Sequence, residues 1–309
     1  MQLAFHFGQS PAGITNGSTI GVPNPIIDGR AAEPWADVTG GGRACGSLTL
    51  WQCGDELWGA GFADVSAQGF DAAAQALYTE LFNASRRLTL HRIWNLIPRI
   101  NAHDAALENY QAFCEGRHRA FQAHFGSAGE QRMPAASAVG TLGDTLCVVF
   151  VAGTDAVSYV ENPEQVPAYR YPSRYGPRSP SFARGSLVQR HGGQRLYVSG
   201  TASIRRSESL HPGDVAAQFE LAMANVDLVA RNAGLLHGLD AESPGQRSFR
   251  IYLRHADDWP VVRPLFEKRL QRSGDGYSVL QADICRRELL VEIEACVDNM
   301  GTETTRRGN

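Results

Sequence analysis

The sequence predicts an α+β protein with two sequential domains, each a mixed β-sheet with helices layered on one face. The chain has 309 residues, which is long for one hydrophobic core and sufficient for two. Its apolar fraction of 43% and charged fraction of 20% are typical of a globular protein. The order strand, helix, strand, helix, strand occurs twice, which indicates a duplication of elements rather than of residues.

The first half begins with about forty residues rich in glycine and proline, which we expect to be extended or loop structure. Apolar residues then recur either in strand-like runs or at helical spacing. The predicted elements are strands at 47–52 and 56–62, a helix at 69–83, a strand at 88–97, a helix at 104–124 and a strand region at 138–152.

The second half repeats this order of elements. We predict a strand at 195–204, a helix at 212–233, a strand at 249–255 and a helix at 258–271. The chain should then end in a β-hairpin, in which 277–285 and 288–296 pair across a turn at Arg286 and Arg287.

Between the halves, residues 153–194 show little regular pattern, and loops of that length are usually functional or disordered. Domain junctions are also favoured ligand sites. We therefore divide the chain into an N-terminal domain with an extended N-terminal segment, a loop region that joins the halves and is expected to bind a ligand, a C-terminal domain, and a flexible tail. Their predicted bounds are 1–152, 153–194, 195–300 and 301–309.

Within the junction, residues 169–184 point most directly to function. They contain four arginines and three tyrosines, and Pro172, Pro177 and Pro180 exclude a regular helix or strand. Guanidinium groups on a stiff loop can bind a carboxylate or phosphate through two parallel hydrogen bonds. The loop thus predicts a small, anionic, ring-shaped ligand. Because Lys268 is the only lysine, arginine is the default cation of this chain, and a solvated basic loop remains the alternative.

Several functional classes are disfavoured. A net charge of -3 argues against a general nucleic-acid binder, and no apolar run approaches the length that spans a bilayer. The N-terminus lacks the basic region of a secretory signal. The six cysteines are scattered, as expected for reduced thiols in a cytoplasmic protein, and neither they nor the histidines show metal-ligand spacing. We therefore expect no metal site.

Five motifs together resemble a known family. The end of the chain, FRIYLRHADDWPVVRPLF followed by LLVEIEA, is similar to Rid-type imine deaminases and chorismate-mutase-like subunits. The whole set resembles the chorismatases, enzymes that remove pyruvate from chorismate. The motifs that carry this resemblance, besides the C-terminal one, are IPRIN, LENYQAFCEGRHRAF, YRYPSRYGPRSPSFARG and YVSGTASI. The resemblance implies two Rid-like or chorismate-mutase-like domains and chorismate as the small-molecule substrate.

The resemblance also implies site residues. The catalytic acid falls on Glu292, and Cys285 marks the branch that makes 3-hydroxybenzoate, with 4-hydroxybenzoate left open as a further product. On the residues alone, Glu292 could instead point outward, and Glu294 shares its face of the strand. The expected substrate-binding residues are three arginines for the two carboxylates and two tyrosines for the ring: Arg117, Arg184, Arg254, Tyr110 and Tyr169.

No cofactor is expected, because an acid-catalysed elimination includes no redox step. Three alternatives remain: a chorismate hydrolase that releases a dihydroxycyclohexadiene carboxylate, a Rid-type imine deaminase, and a non-catalytic binder of small aromatic acids. The deaminase is disfavoured because Rid proteins are about half this length and lack the arginine–tyrosine loop. The oligomeric state, monomer or trimer, stays open, as does the role of Arg205 and Arg206 beside the expected pocket.

Overall fold

The computed structural model describes residues 1–8, 12–235, 238–239, 245–270, 272 and 274–300. The predicted tail, 301–309, lies outside the described residues. The helices are α1 Val65–Gln68, α2 Phe70–Ala84, α3 Asn109–Phe125, α4 Val215–Asn232 and α5 Trp259–Arg269. The strands of the first half are β1 Gln2–Phe7, β2 Gly13–Thr15, β3 Thr19–Val22, β4 Ile26–Gly29, β5 Ala32–Asp37, β6 Arg43–Cys45, β7 Leu48–Cys53, β8 Glu56–Asp64, β9 Thr89–Pro98, β10 Ala135–Thr141 and β11 Thr145–Gly153. Those of the second half are β12 Val157–Val160, β13 Gly185–Arg190, β14 Gly193–Ala202, β15 Ile204–Arg205, β16 Glu208–Ser209, β17 Gln246–Leu253, β18 Gly276–Gln281 and β19 Val291–Met300.

The predicted fold class is confirmed, because each half forms a mixed sheet with helices on one face. The first sheet has the order β10-β9-β11-β8-β7-β6, with β10 parallel to β9 and the other pairs antiparallel. The second has the order β12-β13-β14-β19-β17-β18-β4, with only β17 and β18 parallel among its described pairs. Helices α2 and α3 cover the first sheet, while α4 and α5 cover the second.

Helices α2 and α3 cross at Gly116, and this close approach needs a residue without a side chain. A Cβ atom there would lie 1.9 Å from the carbonyl oxygen of Asp71. Arg117, immediately after the crossing, is held next to α2, with its guanidinium carbon 5.7 Å from the centre of the Tyr78 ring.

The helix-free faces of the two sheets meet in a shared core. Side chains alternate between the two faces of a strand, so β19 sends Val291, Ile293 and Ala295 toward α4 and α5. The residues between them, Glu292 and Glu294, point toward the first sheet instead and are 3% and 5% exposed. Two carboxyl groups therefore enter the contact between the sheets, where any charge must be compensated.

The N-terminal segment is extended and wraps around both sheets. Strands β1, β2, β3 and β5 form a small sheet of their own, whereas β4 pairs with β18 at the edge of the second sheet. Phe5 and Phe7 from β1 pack in the shared core beside Trp94. The extended structure expected for this segment is confirmed.

The predicted C-terminal hairpin is wrong. Strand β18 pairs in parallel with β17, and β17 in turn pairs with β19, so β17 lies between the two strands that were expected to be neighbours. Residues 282–290 therefore cross over the end of the sheet instead of forming a tight turn. Adjacency in sequence favours a hairpin, but it cannot show that a third strand inserts.

The junction at 153–194 is more regular than predicted. It contains β12 and β13, which extend the edge of the second sheet. The irregular part is thus limited to the segment between these strands, which holds the arginine–tyrosine loop. The domain bounds drawn from the sequence stay a prediction.

Candidate active site

A cavity of about 250 Å³ opens at the contact between the two sheets. Helix α3, strand β10, the loop at 169–184, strand β14, residues 285–288 and strand β19 all contribute to its wall. The side chains that matter below are Tyr110, Arg117, Ser137, Tyr171, Tyr175, Arg184, Cys285, Arg286 and Glu292, with Gly200 at the back. The cavity joins residues that are far apart in sequence.

Glu292 presents a carboxyl group to this cavity in an environment that favours its neutral form. The residue is 3% exposed, and its Oε1 has no hydrogen-bond partner among the residues that the structure describes. Burial and the negative charge of Glu294 raise the pKa of Glu292 to about 8, while Arg92 and Arg184 oppose that rise. A group with this pKa is largely protonated at pH 7 and can donate a proton.

Glu294 lies on the same face of β19, but its environment favours the charged form. It accepts hydrogen bonds from Trp94 Nε1 at 3.2 Å and Tyr252 Oη at 3.2 Å. Arg250 Nη1 lies 2.8 Å from Oε1, and Arg92 Nη2 bonds to Oε2. Burial alone would raise the pKa of Glu294, yet Arg250 and Arg92 hold it below its ordinary value. Glu294 is therefore an ionised structural carboxylate.

A β-bulge makes room for the Glu292 carboxyl group. Strand β14 pairs Val198 with Ala295 and Thr201 with Ile293, so β14 has one residue more than β19 in this interval. The bulge contains Gly200, where a Cβ atom would lie 2.0 Å from Glu292 Oε1. Only glycine fits opposite this carboxyl group in its present position.

Two buried arginines, Arg117 and Arg184, line the cavity without a carboxylate partner within ion-pair distance in the described part of the chain. They are 1% and 2% exposed. Arg117 Nη2 donates to the carbonyl oxygen of Ser181, and Arg184 Nη2 donates to Tyr171 Oη at 2.5 Å. The Nε atom of each is buried without a hydrogen-bond partner. Because buried charges are normally paired, the two guanidinium groups form a site suited to an anion.

Sequence reasoning missed Arg286, which it placed in a hairpin turn. Its guanidinium carbon lies 3.7 Å from the centre of the Tyr175 ring. Nη1 donates to Ser207 O at 2.9 Å and Ser209 Oγ at 3.0 Å, whereas Nη2 is buried without a partner among the described residues. Arg286 is thus a third fixed cation at the cavity.

Ser137 was also missed, because it lies in an apolar strand and its hydrogen bonds to Arg92, Gly200 and Glu294 join residues that are far from it in sequence. Tyr171 and Tyr175 were part of the predicted loop but were not singled out. The density of aromatic and basic residues there was the signal that could have found them. No comparable signal marks Ser137.

Cys285 and Tyr110 lie in the cavity wall. Burial and the nearby Glu292 raise the pKa of the Cys285 thiol to about 12. Burial likewise raises the pKa of Tyr110 well above its ordinary value. Both groups are therefore neutral at physiological pH, and Cys285 is a thiol rather than a nucleophilic thiolate.

The structure places two of the expected binding residues outside the cavity. Tyr169 stacks against Arg170, with 5.6 Å from the guanidinium carbon to the ring centre, and lines a separate surface depression. Arg254 donates from Nε to Leu289 O at 2.9 Å and pairs with Asp283 at 2.5 Å. Arg254 holds the 282–290 crossover in place, so its contribution to the site is indirect.

Arg205 and Arg206 belong to the loop surface. Arg205 pairs with Glu164 at 3.0 Å, and Arg206 takes a left-handed backbone with φ of 54°. The neighbouring residue Glu208 contacts two side chains of the cavity wall: it bonds to Arg174 and accepts from Tyr175 Oη at 3.2 Å.

The described residues contain no group of three or more His, Cys, Asp or Glu side chains that could hold a metal ion. Among the helices in the described part of the chain, none combines the length and hydrophobicity needed for a bilayer crossing.

Comparisons with known proteins show similarity to one family. Residues 42–152 match the family model described as chorismatase FkbO/Hyg5-like, N-terminal. The chain is 35% identical over 243 residues to a 3-hydroxybenzoate synthase of Streptomyces hygroscopicus and 39% identical over 240 residues to a chorismatase of Streptomyces rapamycinicus. Each alignment covers 74% of this chain and 70% of the relative. A chorismatase crystal structure at 1.08 Å resolution superposes with a TM-score of 0.82 and 30% identity, covering 96% of this chain and 92% of that one.

Proposed function

The chain belongs to the chorismatase family, and from that premise we propose that it cleaves chorismate to pyruvate and 3-hydroxybenzoate with Glu292 as the proton donor. The observation that carries the proposal is a single cavity holding a buried, unpaired carboxyl group together with buried arginines that lack a counterion among the described residues. Chorismate would supply two carboxylates to the arginines and a proton acceptor to the acid.

Arg117 and Arg184 are the proposed carboxylate ligands. A guanidinium group can bind a carboxylate through two parallel N–H donors, and each of these arginines keeps one buried nitrogen unpaired within the described structure. Arg286 adds a further buried N–H group near the Tyr171 and Tyr175 rings. Substrate binding would neutralise charge that folding alone leaves uncompensated.

Glu292 would start the reaction by transferring its proton to the methylene carbon of the enolpyruvyl group. The electron pair of the vinyl double bond forms the new C–H bond, and positive charge develops on the ether carbon. The hydroxyl oxygen on ring carbon 4 would then bond to carbon 3 as the bond between carbon 3 and the ether oxygen breaks, which releases pyruvate and returns the hydroxyl proton to Glu292. The resulting epoxide would open at carbon 4 with protonation of its oxygen, and loss of the proton on carbon 3 would give 3-hydroxybenzoate. The conversion consumes neither water nor a net proton.

Cys285 would favour aromatisation over capture of water by the ring. Its neutral thiol lies in the cavity wall, which Glu292 and Arg286 also line. A polarisable, weakly polar group at that point can shape the space around the ring without attacking it. Capture of water would instead give the dihydroxycyclohexadiene carboxylate. 4-Hydroxybenzoate is a further possible product of the same intermediate.

The test is incubation of the purified protein with chorismate, separation of the products by liquid chromatography and coupled detection of pyruvate. We expect pyruvate and 3-hydroxybenzoate in equal amounts, and Glu292→Gln should abolish both. Glu267→Gln, which changes an exposed glutamate on α5, is the matched control and should retain the wild-type rate. Release of the diol would place the chain in the hydrolase branch, and no consumption of chorismate would overturn the proposal.

A further inference from the structure

Glu292 and Glu294 are chemically identical, share one face of β19 and are almost equally buried, yet their surroundings differ sharply. Glu294 is surrounded by donors, whereas Glu292 Oε1 has no partner in the described structure. We propose that Glu294 is a positioning residue that keeps Glu292 in its acid form, and that Ser137 separates the two carboxyl groups by binding the donors that would otherwise reach Glu292. This inference rests on the proposed role of Glu292 as the proton donor.

The first step is that Glu294 carries a fixed negative charge. Two guanidinium groups, an indole N–H and two hydroxyl groups all lie within bonding distance of its oxygens: Arg92, Arg250, Trp94, Ser137 and Tyr252. An ionised carboxylate is an acceptor only, with about four lone-pair positions. Five donors share these positions, so a proton on Glu294 would displace at least one of them.

The second step is that this charge acts on Glu292 at short range. Residues two apart on one strand face lie about 7 Å from each other, since the rise is about 3.4 Å per residue. At an effective dielectric constant of about 20, a unit charge at that distance shifts a neighbouring titration by about 1 to 2 pH units. A negative charge favours the protonated form, so Glu294 keeps the proton on Glu292.

The third step concerns Ser137, which β10 of the first sheet places between the two carboxyl groups. Ser137 Oγ donates to Glu294 Oε2 and accepts from Gly200 N at 2.9 Å and from Arg92 Nη2. Gly200 lies directly against the Glu292 carboxyl group. Its N–H would stabilise the ionised form of Glu292 if it were free to turn toward it. Ser137 binds this N–H and thus removes a backbone donor that lies beside Glu292.

No other group around Glu292 and Glu294 in the described structure favours the protonated form of Glu292 as Glu294 does. Arg92 and Arg184 favour ionisation of Glu292 and therefore oppose Glu294, and the nearby tyrosines and thiols are neutral. Glu33 reaches Arg250 from the far side, through β5. Among the described residues, the titratable and charged groups around the pair and its bonded side chains are Arg92 on β9, Tyr110, Cys114 and Arg117 on α3, Arg184 before β13, Arg250 and Tyr252 on β17, Cys285 and Arg286 before β19, Cys296 on β19 and, behind Arg250, Glu33 on β5.

Two readouts test the inference: the alkaline limb of the kcat/KM–pH profile, and an infrared titration of the protonated-carboxyl band in protein labelled with ¹³C-glutamate. Burial also raises the pKa of Glu161 to about 7, so the titration is carried out in a Glu161→Gln background. There the band should titrate near the alkaline limb when Glu292 is present and disappear in Glu292→Gln. Glu294→Gln should move both titrations down by about 1 to 2 pH units. Ser137→Ala should move them in the same direction by less, because Gly200 N–H becomes available to Glu292.

Glu33→Gln is the matched control, because Glu33 also pairs with Arg250 but on the side away from β19. In this variant the titration of Glu292 should stay within about 0.3 pH units of the wild type. A folded Glu294→Gln with an unchanged titration would overturn the inference, as would a band that persists when Glu292→Gln is added to the Glu161→Gln background. If Glu294→Gln does not fold, Ser137→Ala decides alone, and an unchanged titration there refutes it. The infrared readout needs no substrate, so failure of the chorismate proposal would be seen separately in the activity assay.

Discussion

Replacing Gly200 with alanine should remove most of the activity while leaving the fold intact. The new Cβ atom would lie 2.0 Å from Glu292 Oε1, 2.8 Å from Glu292 Cδ and 3.0 Å from Ser137 Oγ. All three nearest atoms belong to side chains, and φ at Gly200 is outside the left-handed region, so the backbone itself tolerates alanine. The clash is relieved by moving the end of the Glu292 side chain.

The distance that the Glu292 carboxyl group must move determines the expected loss of activity. Restoring an ordinary contact of 3.4 Å from 2.0 Å displaces the Glu292 carboxyl group by about 1.4 Å. A misplacement of about 1 Å in a reacting group can lower a rate by about 10²-fold. We therefore expect kcat/KM to fall by about 10²-fold, mainly through kcat, which corresponds to about 2.7 kcal/mol of activation free energy. The free energy of unfolding should change by less than about 1.5 kcal/mol, because a flexible side chain absorbs the clash.

The assay is coupled detection of pyruvate from chorismate, together with urea unfolding of the same preparations. Gly41→Ala is the matched control, since a Cβ atom there meets nothing within 4 Å and its φ is not left-handed. Wild-type kcat/KM in a stable Gly200→Ala protein would refute the placement of the acid opposite the bulge. Unfolding of the variant would refute the claim that movement of the Glu292 side chain relieves the clash.

Three further predictions concern Glu292, Cys285 and Arg184. Because burial and Glu294 raise the pKa of Glu292 from 4.5 to about 8, its proton stabilises the fold fully below pH 4.5, and that contribution is lost as the pH rises toward 8. The wild type should therefore lose more free energy of unfolding than Glu292→Gln between pH 5 and pH 8, by on the order of 3 kcal/mol, as measured by urea unfolding. An equal pH dependence of the two proteins would contradict the raised pKa. Cys285→Ala should shift the product from 3-hydroxybenzoate toward the dihydroxycyclohexadiene carboxylate, measured by chromatography, and an unchanged product ratio would rule out a branch-determining role. Arg184→Lys should raise KM by about tenfold or more with a smaller change in kcat, because lysine loses bidentate binding, whereas the control Tyr169→Phe should keep the wild-type KM.

Local patterns in the sequence were sufficient for most secondary structure. The apolar run from Leu146 to Ala152 forms the buried strand β11, and the alanine and leucine spacing before residue 84 forms α2. Strand order was not readable, because β17 separates β18 from β19 through long-range pairing that leaves no local signal.

The candidate site was predictable to the extent that motifs carried it. Glu292, Arg117 and Arg184 follow from the family resemblance, and the structure brings them together in one cavity. Ser137 and Gly200 depend on how the second sheet packs against the first, which one-dimensional patterns do not describe. Arg254 lies on one of the family motifs but outside the cavity, and its hydrogen bonds hold the 282–290 crossover instead.

The arginine–tyrosine loop proved to have two parts. Arg184 and Tyr171 bond to each other in the cavity wall, while Arg170 pairs with Glu130 on the surface. Composition predicted an anion site in this segment but not which of its four arginines would be buried. Burial of Arg184, and not the density of charge, distinguishes the proposed ligand from its neighbours.

The most direct test of the proposed function is product analysis of the purified protein with chorismate, with Glu292→Gln run in parallel. We predict pyruvate and 3-hydroxybenzoate in a one-to-one ratio from the wild type and neither from the variant. Full turnover by Glu292→Gln, or no consumption of chorismate by the wild type, would contradict the assignment of Glu292 as the acid that cleaves chorismate.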